Sequence, residues 1–431
     1  MDDITADLIG LAQRPADTLP APALALARLS LLDWLACGLA GTSEPLAVKM
    51  RALAEAECGT PVASVFGGGQ VPARMAALVN GATSHALDYD DTHFAHVGHL
   101  SVGIYPVALA IGEEADASAA DVVAAFLVGA EAAICIGLVL GQAHYDLGFH
   151  QTATAGAFGA TLAAGRLMGL DEREMRHALG LCATRASGLK SQFGTMGKPY
   201  NAGIAASNGV ECAKLGALGM TSADDGIFGP QGFVATHTPQ AQAYEASARF
   251  LFEDNKYKLH ACCHGTHAMI EGLLTAGLSG RLDEVQSVCL KTHPRWLRVC
   301  DLKNPRTGLE VKFSYAWLAG MVLRGDATED EATYSDGLPG DAALVAFAQQ
   351  VEVAGDDGLS DMQAKGVVHL KDGREVPFSH DLEAPIPHEM LEDKLKAKAE
   401  ALGGGAAKEV WRLIQMGGAS ARQIGDLIRT N

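Results

Sequence analysis

The chain has 431 residues, 48 % of them hydrophobic and 19 % charged, with 49 glycines and 6 % aromatics. That excludes a disordered or fibrous chain and predicts two domains, or one large core with an appended piece, built from small aliphatic side chains. Thirty-three basic residues against 51 acidic ones leave a net charge of −18, which opposes any sequence-independent hold on nucleic acid or an anionic membrane.

The acidic start Met1-Asp2-Asp3 lacks the basic residues of a targeting peptide. The nine cysteines are scattered with no Cys-x-x-Cys, and the expectation is a cytoplasmic chain with reduced thiols. To about Gly272 the periodicity is helical, in stretches such as 23–40, 46–58, 73–87, 119–140, 152–168 and 172–184. Ser118 before Asp121, and Asp171 before Glu172 and Glu174, read as helix N-caps with acid in the first turn. The run Ala155-Gly156-Ala157-Phe158-Gly159-Ala160 suits close helix crossings. Residues 122–143 are long enough to span a bilayer, but Glu131 at mid-depth would cost about 3 kcal/mol and no basic cluster flanks the stretch. It reads as a helix buried on all sides.

After Ala276 the pattern changes. Residues 285–290 read as a strand, and 365–370 with 375–378 as a hairpin around Asp372-Gly373. Residues 310–323 and 341–351 read as helices. From Pro387 the chain is helical again, in stretches 391–402 and 408–415 separated by Gly403-Gly404-Gly405. The expected fold is mainly α: a large all-helical domain from 1–272 and 388–431, and a smaller α+β domain at 273–387.

The densest polar feature runs from His85 to His99 and holds four His and three Asp within 15 residues. Two chemistries compete for it. His93-x-x-His96 with the Asp pair contains ligand types for zinc or iron. Alternatively the groups handle protons, with Asp88 orienting an imidazolium and Thr92 donating a hydrogen bond. His150, placed at a helix start, is expected to have its pKa lowered by the dipole and so to stay a competent base near neutral pH. Lys198 lies in Gly194-Thr195-Met196-Gly197-Lys198-Pro199, which is no P-loop because Pro199 stands where Ser or Thr is needed. Lys258 precedes His260, Cys262-Cys263, His264 and His267, too tight a run for four tetrahedral zinc ligands. Gathered together, His99, His150, Lys198 and Lys258 form a positive pocket suited to a small carboxylate.

These residues in this order resemble the MmgE/PrpD family, from about Leu8 to Leu427. The blocks that carry the resemblance are Asn80-Gly81 through Asp88-Tyr89-Asp90-Asp91-Thr92 and His99-x-Ser101; Gly148-Phe149-His150; Gly194-Thr195-Met196-x-Lys198-Pro199 with Ala202-Gly203; Lys258 with Cys262 and His267; and Glu310-x-Lys312-Phe313-Ser314. The resemblance implies a helical domain with a smaller α+β lid, a homodimer, and a site that needs no metal or organic cofactor. It places active-site roles on Asp88, Thr92, His99, His150, Lys198 and Lys258. Trp317 stands where several members carry a tyrosine, Leu100 where proline is common, and His264 where an arginine is frequent. The expected activity is a lyase, with dehydration of a small hydroxylated di- or tricarboxylate through a carbanion next to a carboxylate put first. Epimerisation of an α-substituted dicarboxylate and decarboxylation of the cis-aconitate type are the alternatives.

Overall fold

The computed structural model describes residues 3–244, 247, 249–416 and 418–429. The chain divides into two compact units, Met1–Tyr257 with Leu402–Asn431, and Lys258–Ala401.

The first unit is a stack of helices: α1 (Ile4–Gln13), α2 (Ala21–Ala40), α3 (Pro45–Glu57), α4 (Ala73–Ser84), α5 (Ser101–Glu114), α6 (Ala119–Asp146), α7 (Thr154–Met168), α8 (Glu172–Ala183), α9 (Gly197–Ala217) and α10 (Phe233–His237). A two-stranded ribbon, β1 (Ala63–Ser64) and β2 (Gln70–Val71), turns at the glycines between them. Ser118 and Asp171 both close capping boxes, with Asp121 and Glu174 reaching back to the cap backbone. The small residues act as expected. A Cβ on Gly159 would sit 2.3 Å from the Gly129 carbonyl, so α6 and α7 cross backbone to backbone. A Cβ on Gly203 would sit 2.3 Å from the Leu78 carbonyl, which sets the crossing of α4 and α9.

Helix α6 and the segment Ala21–Ser43 are long and apolar enough to cross a membrane, and 89 % and 78 % of their most apolar windows are buried inside the protein. Glu131 on α6 accepts the N–H groups of Leu251 and Phe252 at 2.8 and 2.9 Å, so the mid-helix carboxylate is spent on a turn of backbone. The sequence reading did not single out α5. Thirteen of its residues are buried, so no polar face marks its period, and Pro106 interrupts it.

The second unit is α+β. Its sheet has strand order β4 (Val351–Gly355), β3 (Val285–Thr292), β5 (Gln363–Leu370), β6 (Glu375–Asp381), with β3 and β4 parallel and the other pairs antiparallel. Gly373, at φ +87°, makes the β5–β6 turn. Helix α11 (His267–Thr275) packs on β5 and β6. Short helices α12 (Pro294–Leu297) and α13 (Gly308–Val311), then α14 (Tyr315–Arg324) and α15 (Ala342–Ala348), complete the body before the long α16 (His388–Gln415). The final helix α17 (Ala421–Arg429) packs on α5 and β1 of the first unit.

Three sequence expectations change here. The single helix at 310–323 is two, α13 and α14, because Ser314 is extended at φ −128°. The helix expected at 341–351 ends at Ala348, and Val351 begins β4. The glycines at 403–405 do separate two helical stretches as expected, because Gly404 is non-helical at φ +52° and kinks α16 there. The unit boundaries fall at 257/258 and 401/402, away from 272 and 388. The reason is that α11 lies on the sheet, and Glu271 at its centre holds Lys394 of α16 at 2.6 Å.

Candidate active site

The first unit brings four polar groups of the 85–99 cluster together, with Lys198 and His150 beside them. Helix α4 ends at Ser84, and the chain turns through Asp88, whose φ of +51° is a conformation that aspartate tolerates better than most residues. This turn carries His85 and Asp90 inward and leaves Asp88 47 % exposed. The buried Asp90 sits between two imidazoles: Oδ1 is 2.7 Å from His85 Nδ1, and Oδ2 is 2.7 Å, at a bent angle, from His99 Nδ1. Asp88 Oδ1 lies 2.7 Å from the ammonium of Lys198 and 3.5 Å from His99 Nε2.

Lys198 projects from the first turn of α9, with its ammonium 5.4 Å from the centre of the Phe193 ring. The edge of that ring meets His150, 4.9 Å between centroids at 82°. His150 stacks toward His85 at 6.3 Å, and Asn201 Nδ2 stands 3.2 Å from its Nδ1.

Burial alone would raise the Asp90 carboxyl, but the imidazoles of His85 and His99 outweigh it and hold the group well below the ordinary carboxylate range. For His99 the balance reverses. Burial outweighs the charge of Asp90 and brings the ring down to about 4. Asp90 is therefore a carboxylate and His99 a neutral imidazole at neutral pH. His150 is also pulled well below its ordinary value, first by burial and then by His85, His99 and Lys198. The direction is the one expected from sequence, with burial as its first cause; the His150 carbonyl accepts the Ala153 and Thr154 N–H groups at the head of the turn that leads into α7.

The remaining members of the cluster hold the fold. Asp91 accepts from the backbone and hydroxyl of Ser101, at 3.1 and 2.6 Å, and from Asn255 at 2.7 Å, anchoring the start of α5. His93 meets the Leu251 carbonyl through Nε2 and accepts the His96 N–H through Nδ1; His96 Nδ1 meets the Ala133 carbonyl. The metal pair suggested by His93-x-x-His96 is thus engaged with backbone. His85, Asp88, Asp90 and His99 offer atoms within 4.8 Å of one another. Lys198 already places a cation on Asp88, however, and both Nδ1 atoms face Asp90, so the arrangement suits proton handling better than metal ligation.

Burial of His96 and His99 makes a pH prediction. His96 is brought down to about 3, by burial first. Both folded values lie below the ordinary 6.5, so their contribution is complete above pH 6.5 and is lost as the pH falls toward about 4 and about 3. Each withdraws about 1.4 kcal/mol per pH unit in that window. Asp90, shifted down as a carboxylate, loses its contribution only below the ordinary carboxylate value of 3.8. Urea midpoints should fall steadily below about pH 6.5, and a flat profile down to about pH 4 would contradict the burial.

The structure corrects one assignment. Asp90, not Asp88, is the carboxylate against His99 Nδ1, while Asp88 is the partner of Lys198. Thr92 exchanges backbone hydrogen bonds with Lys256 at 2.8 Å each way, and among the described residues its hydroxyl has no hydrogen-bond partner. Lys258 and Trp317 are both buried and belong to the second unit. There His260 bridges Thr328 at 2.8 Å and Glu271 at 3.2 Å, and the Cys262 thiol is pushed up to about 12 by burial. Among the described residues, which include all nine cysteines, there is no disulfide. Asp90, His85, Asn201 and Phe193 had not been assigned roles; only the density of the 85–99 cluster pointed toward the first two.

A helical unit that holds two neutral imidazoles and an ammonium beside one exposed and one buried carboxylate is equipped to move protons next to an anion. The MmgE/PrpD N-terminal domain matches residues 11–245 and the MmgE/PrpD C-terminal domain matches residues 260–416. The chain belongs to the MmgE/PrpD family. It is 29 % identical over 296 residues to a cis-aconitate decarboxylase-like protein of Aspergillus oryzae, covering 63 % of this chain and 61 % of that one. Against a cis-aconitate decarboxylase of Aspergillus terreus it is 30 % identical over 289 residues, covering 62 % and 58 %. The cis-aconitate decarboxylase of Homo sapiens is 28 % identical over 234 residues, covering 52 % and 48 %. The matches thus span about half to three-fifths of the length of these curated relatives.

Proposed function

We propose that the protein is a lyase acting on a small di- or tricarboxylate by forming negative charge on the carbon next to a carboxylate. The observation that carries this is His99, neutral and backed by the Asp90 carboxylate, with its Nε2 side turned toward Asp88 and Lys198. A substrate carboxylate would replace Asp88 as the partner of Lys198, since an ammonium at that distance serves any carboxylate oxygen equally. His99 then takes or returns a proton at the neighbouring carbon, and Asp90 stabilises the imidazolium.

Decarboxylation of an unsaturated tricarboxylate of the cis-aconitate type is the leading reaction, supported by the names of the relatives. The carbon–carboxylate bond breaks, carbon dioxide leaves, the electron pair passes onto the remaining conjugated carboxylate, and His99, after taking up a proton from solvent at its bare Nε2, delivers that proton to the carbon. Dehydration of a hydroxylated acid, first on sequence grounds, is the second reading. It is favoured by the neutral state of both imidazoles, which suits proton abstraction.

Incubation with cis-aconitate and with hydroxylated tricarboxylates in D₂O separates the cases. Carbon dioxide from cis-aconitate supports the first reading and a new double bond from a hydroxy acid the second. Deuterium exchange with neither product would overturn the lyase in favour of an epimerase. His150→Ala should lower kcat by roughly 10²- to 10⁴-fold.

A further inference from the structure

We infer that Asn201 is a positioning residue that fixes the tautomer of His150 so that it presents an N–H at Nε2, opposite to His99, which Asp90 fixes so that it presents a lone pair at Nε2. The inference rests on the reading above that these two histidines serve one reaction.

Asn201 is buried in the second turn's approach on α9, and its Nδ2 lies 3.2 Å from the Leu189 carbonyl and 3.2 Å from His150 Nδ1. A carbonyl oxygen only accepts, so the amide atom facing Leu189 is the NH₂ group, and this settles the orientation of the amide. The second hydrogen of that nitrogen points at His150 Nδ1, which must therefore accept. In a neutral imidazole the proton is then on Nε2. Burial keeps His150 uncharged, so the choice of nitrogen matters at neutral pH.

His99 obeys the opposite rule. Asp90 is a carboxylate and only accepts, so the nitrogen against it, Nδ1, carries the proton and Nε2 is bare. One imidazole is thus set to receive a proton from carbon, or to return it. The other is set to donate a hydrogen bond to an oxygen that gains charge. The electron pair of the broken bond moves onto the carboxylate oxygens, where an N–H donor stabilises it.

The backbone around Asn201 is built to keep this geometry. The strap 188–190 is tied to the His150 segment by His150 N–H to Gly188 O at 3.0 Å and Lys190 N–H to Gly148 O at 2.8 Å. Gly188 has φ +146°, and a Cβ there would lie 2.4 Å from the Ala153 Cβ and 3.4 Å from the Asn201 Cγ. A larger residue at 188 would collide with Ala153, so the strap could not keep its place beside the amide.

The full chain labelled with ¹⁵N-histidine tests this by NMR, since protonated and bare ring nitrogens have well-separated shifts and couplings. Wild type should show His150 protonated at Nε2 and His99 at Nδ1, with the resonances assigned from His150→Gln and His99→Gln. Asn201→Asp replaces the donor with an acceptor, so His150 should move its proton to Nδ1. The variant's turnover should fall roughly 10²- to 10⁴-fold with KM within about threefold, and the pH profile should shift upward as the new carboxylate favours the imidazolium. Should Asn201→Asp fail to fold by circular dichroism, Asn201→Ala, which removes the donor without adding charge, should yield mixed tautomers. A wild-type His150 protonated at Nδ1 would overturn the inference, as would a folded Asn201→Asp that keeps Nε2–H. The wild-type spectrum needs no substrate. Inertness toward every carboxylate would count against the lyase reading and leave the tautomer result standing.

Discussion

Asp90→Asn is expected to reduce turnover by roughly 10²- to 10⁴-fold while leaving substrate affinity nearly unchanged. The carboxylate faces imidazoles on two sides, with Oδ1 hydrogen-bonded to His85 and Oδ2 in a bent 2.7 Å contact with His99. An amide has one accepting oxygen, and its NH₂ group would face whichever imidazole is left. If His99 faces the NH₂, it must shift its proton to Nε2, and the bare nitrogen needed for proton transfer is lost. If His85 does so, an unpaired buried donor or a rotated ring results, costing about 1–3 kcal/mol. Removing a buried charge offsets part of that cost, so the loss of activity should exceed what the loss of stability explains. kcat and KM on the substrate turned over, with urea unfolding alongside, check both halves. Asp88→Asn should alter stability less, because Asp88 is half exposed and its pair with Lys198 is screened. A kcat for Asp90→Asn within a few-fold of wild type would remove Asp90 from the mechanism.

Gly203→Val is expected to be the most damaging substitution outside the polar cluster. Its Cβ would lie 2.3 Å from the Leu78 carbonyl and 3.2 Å from the Ala82 nitrogen; from the other side, a Cβ on Gly81 would lie 2.8 Å from the Gly203 Cα. The obstacles are backbone atoms of α4, which no rotamer change can move. The helices must separate, at a cost of about 3 kcal/mol or more in a close-packed interior. Because α4 leads into His85 and α9 carries Lys198 and Asn201, any separation also pulls the site apart. The expected result is insoluble protein or a strongly lowered Tm. Gly10→Ala is the control: Gly10 sits in α1 with nothing within 4 Å of its Cβ, and the change should gain about 0.5–1 kcal/mol. A Gly203→Val Tm within a few degrees of wild type would contradict the crossing.

Much of the frame was legible along the chain. The capping boxes at Ser118 and Asp171 are local chemistry, complete within four residues, and they stand where the sequence places them. The β5–β6 hairpin is equally local, because Asp372-Gly373 supplies the turn. Helix α5 was not legible, since a helix buried all round has no contrast between faces. Strand β4 was hidden for another reason: Val351–Gly355 is short and follows directly on a helix, and only its pairing with β3 makes it a strand.

The polar cluster shows the same division at the scale of single atoms. From the sequence alone come the helical class, the small-residue crossings, and an inventory of imidazoles, carboxylates and lysines gathered in a few blocks. Which carboxylate each imidazole meets was decided only by the tertiary structure. The left-handed turn at Asp88 sends Asp88 outward to Lys198 and Asp90 inward to His99, reversing the order of roles that spacing suggested. Likewise the state of His150 follows from its burial and from an amide 51 residues away. Local geometry can be read from neighbours in the chain. The position of a proton depends on donors and acceptors that meet only when distant segments pack together.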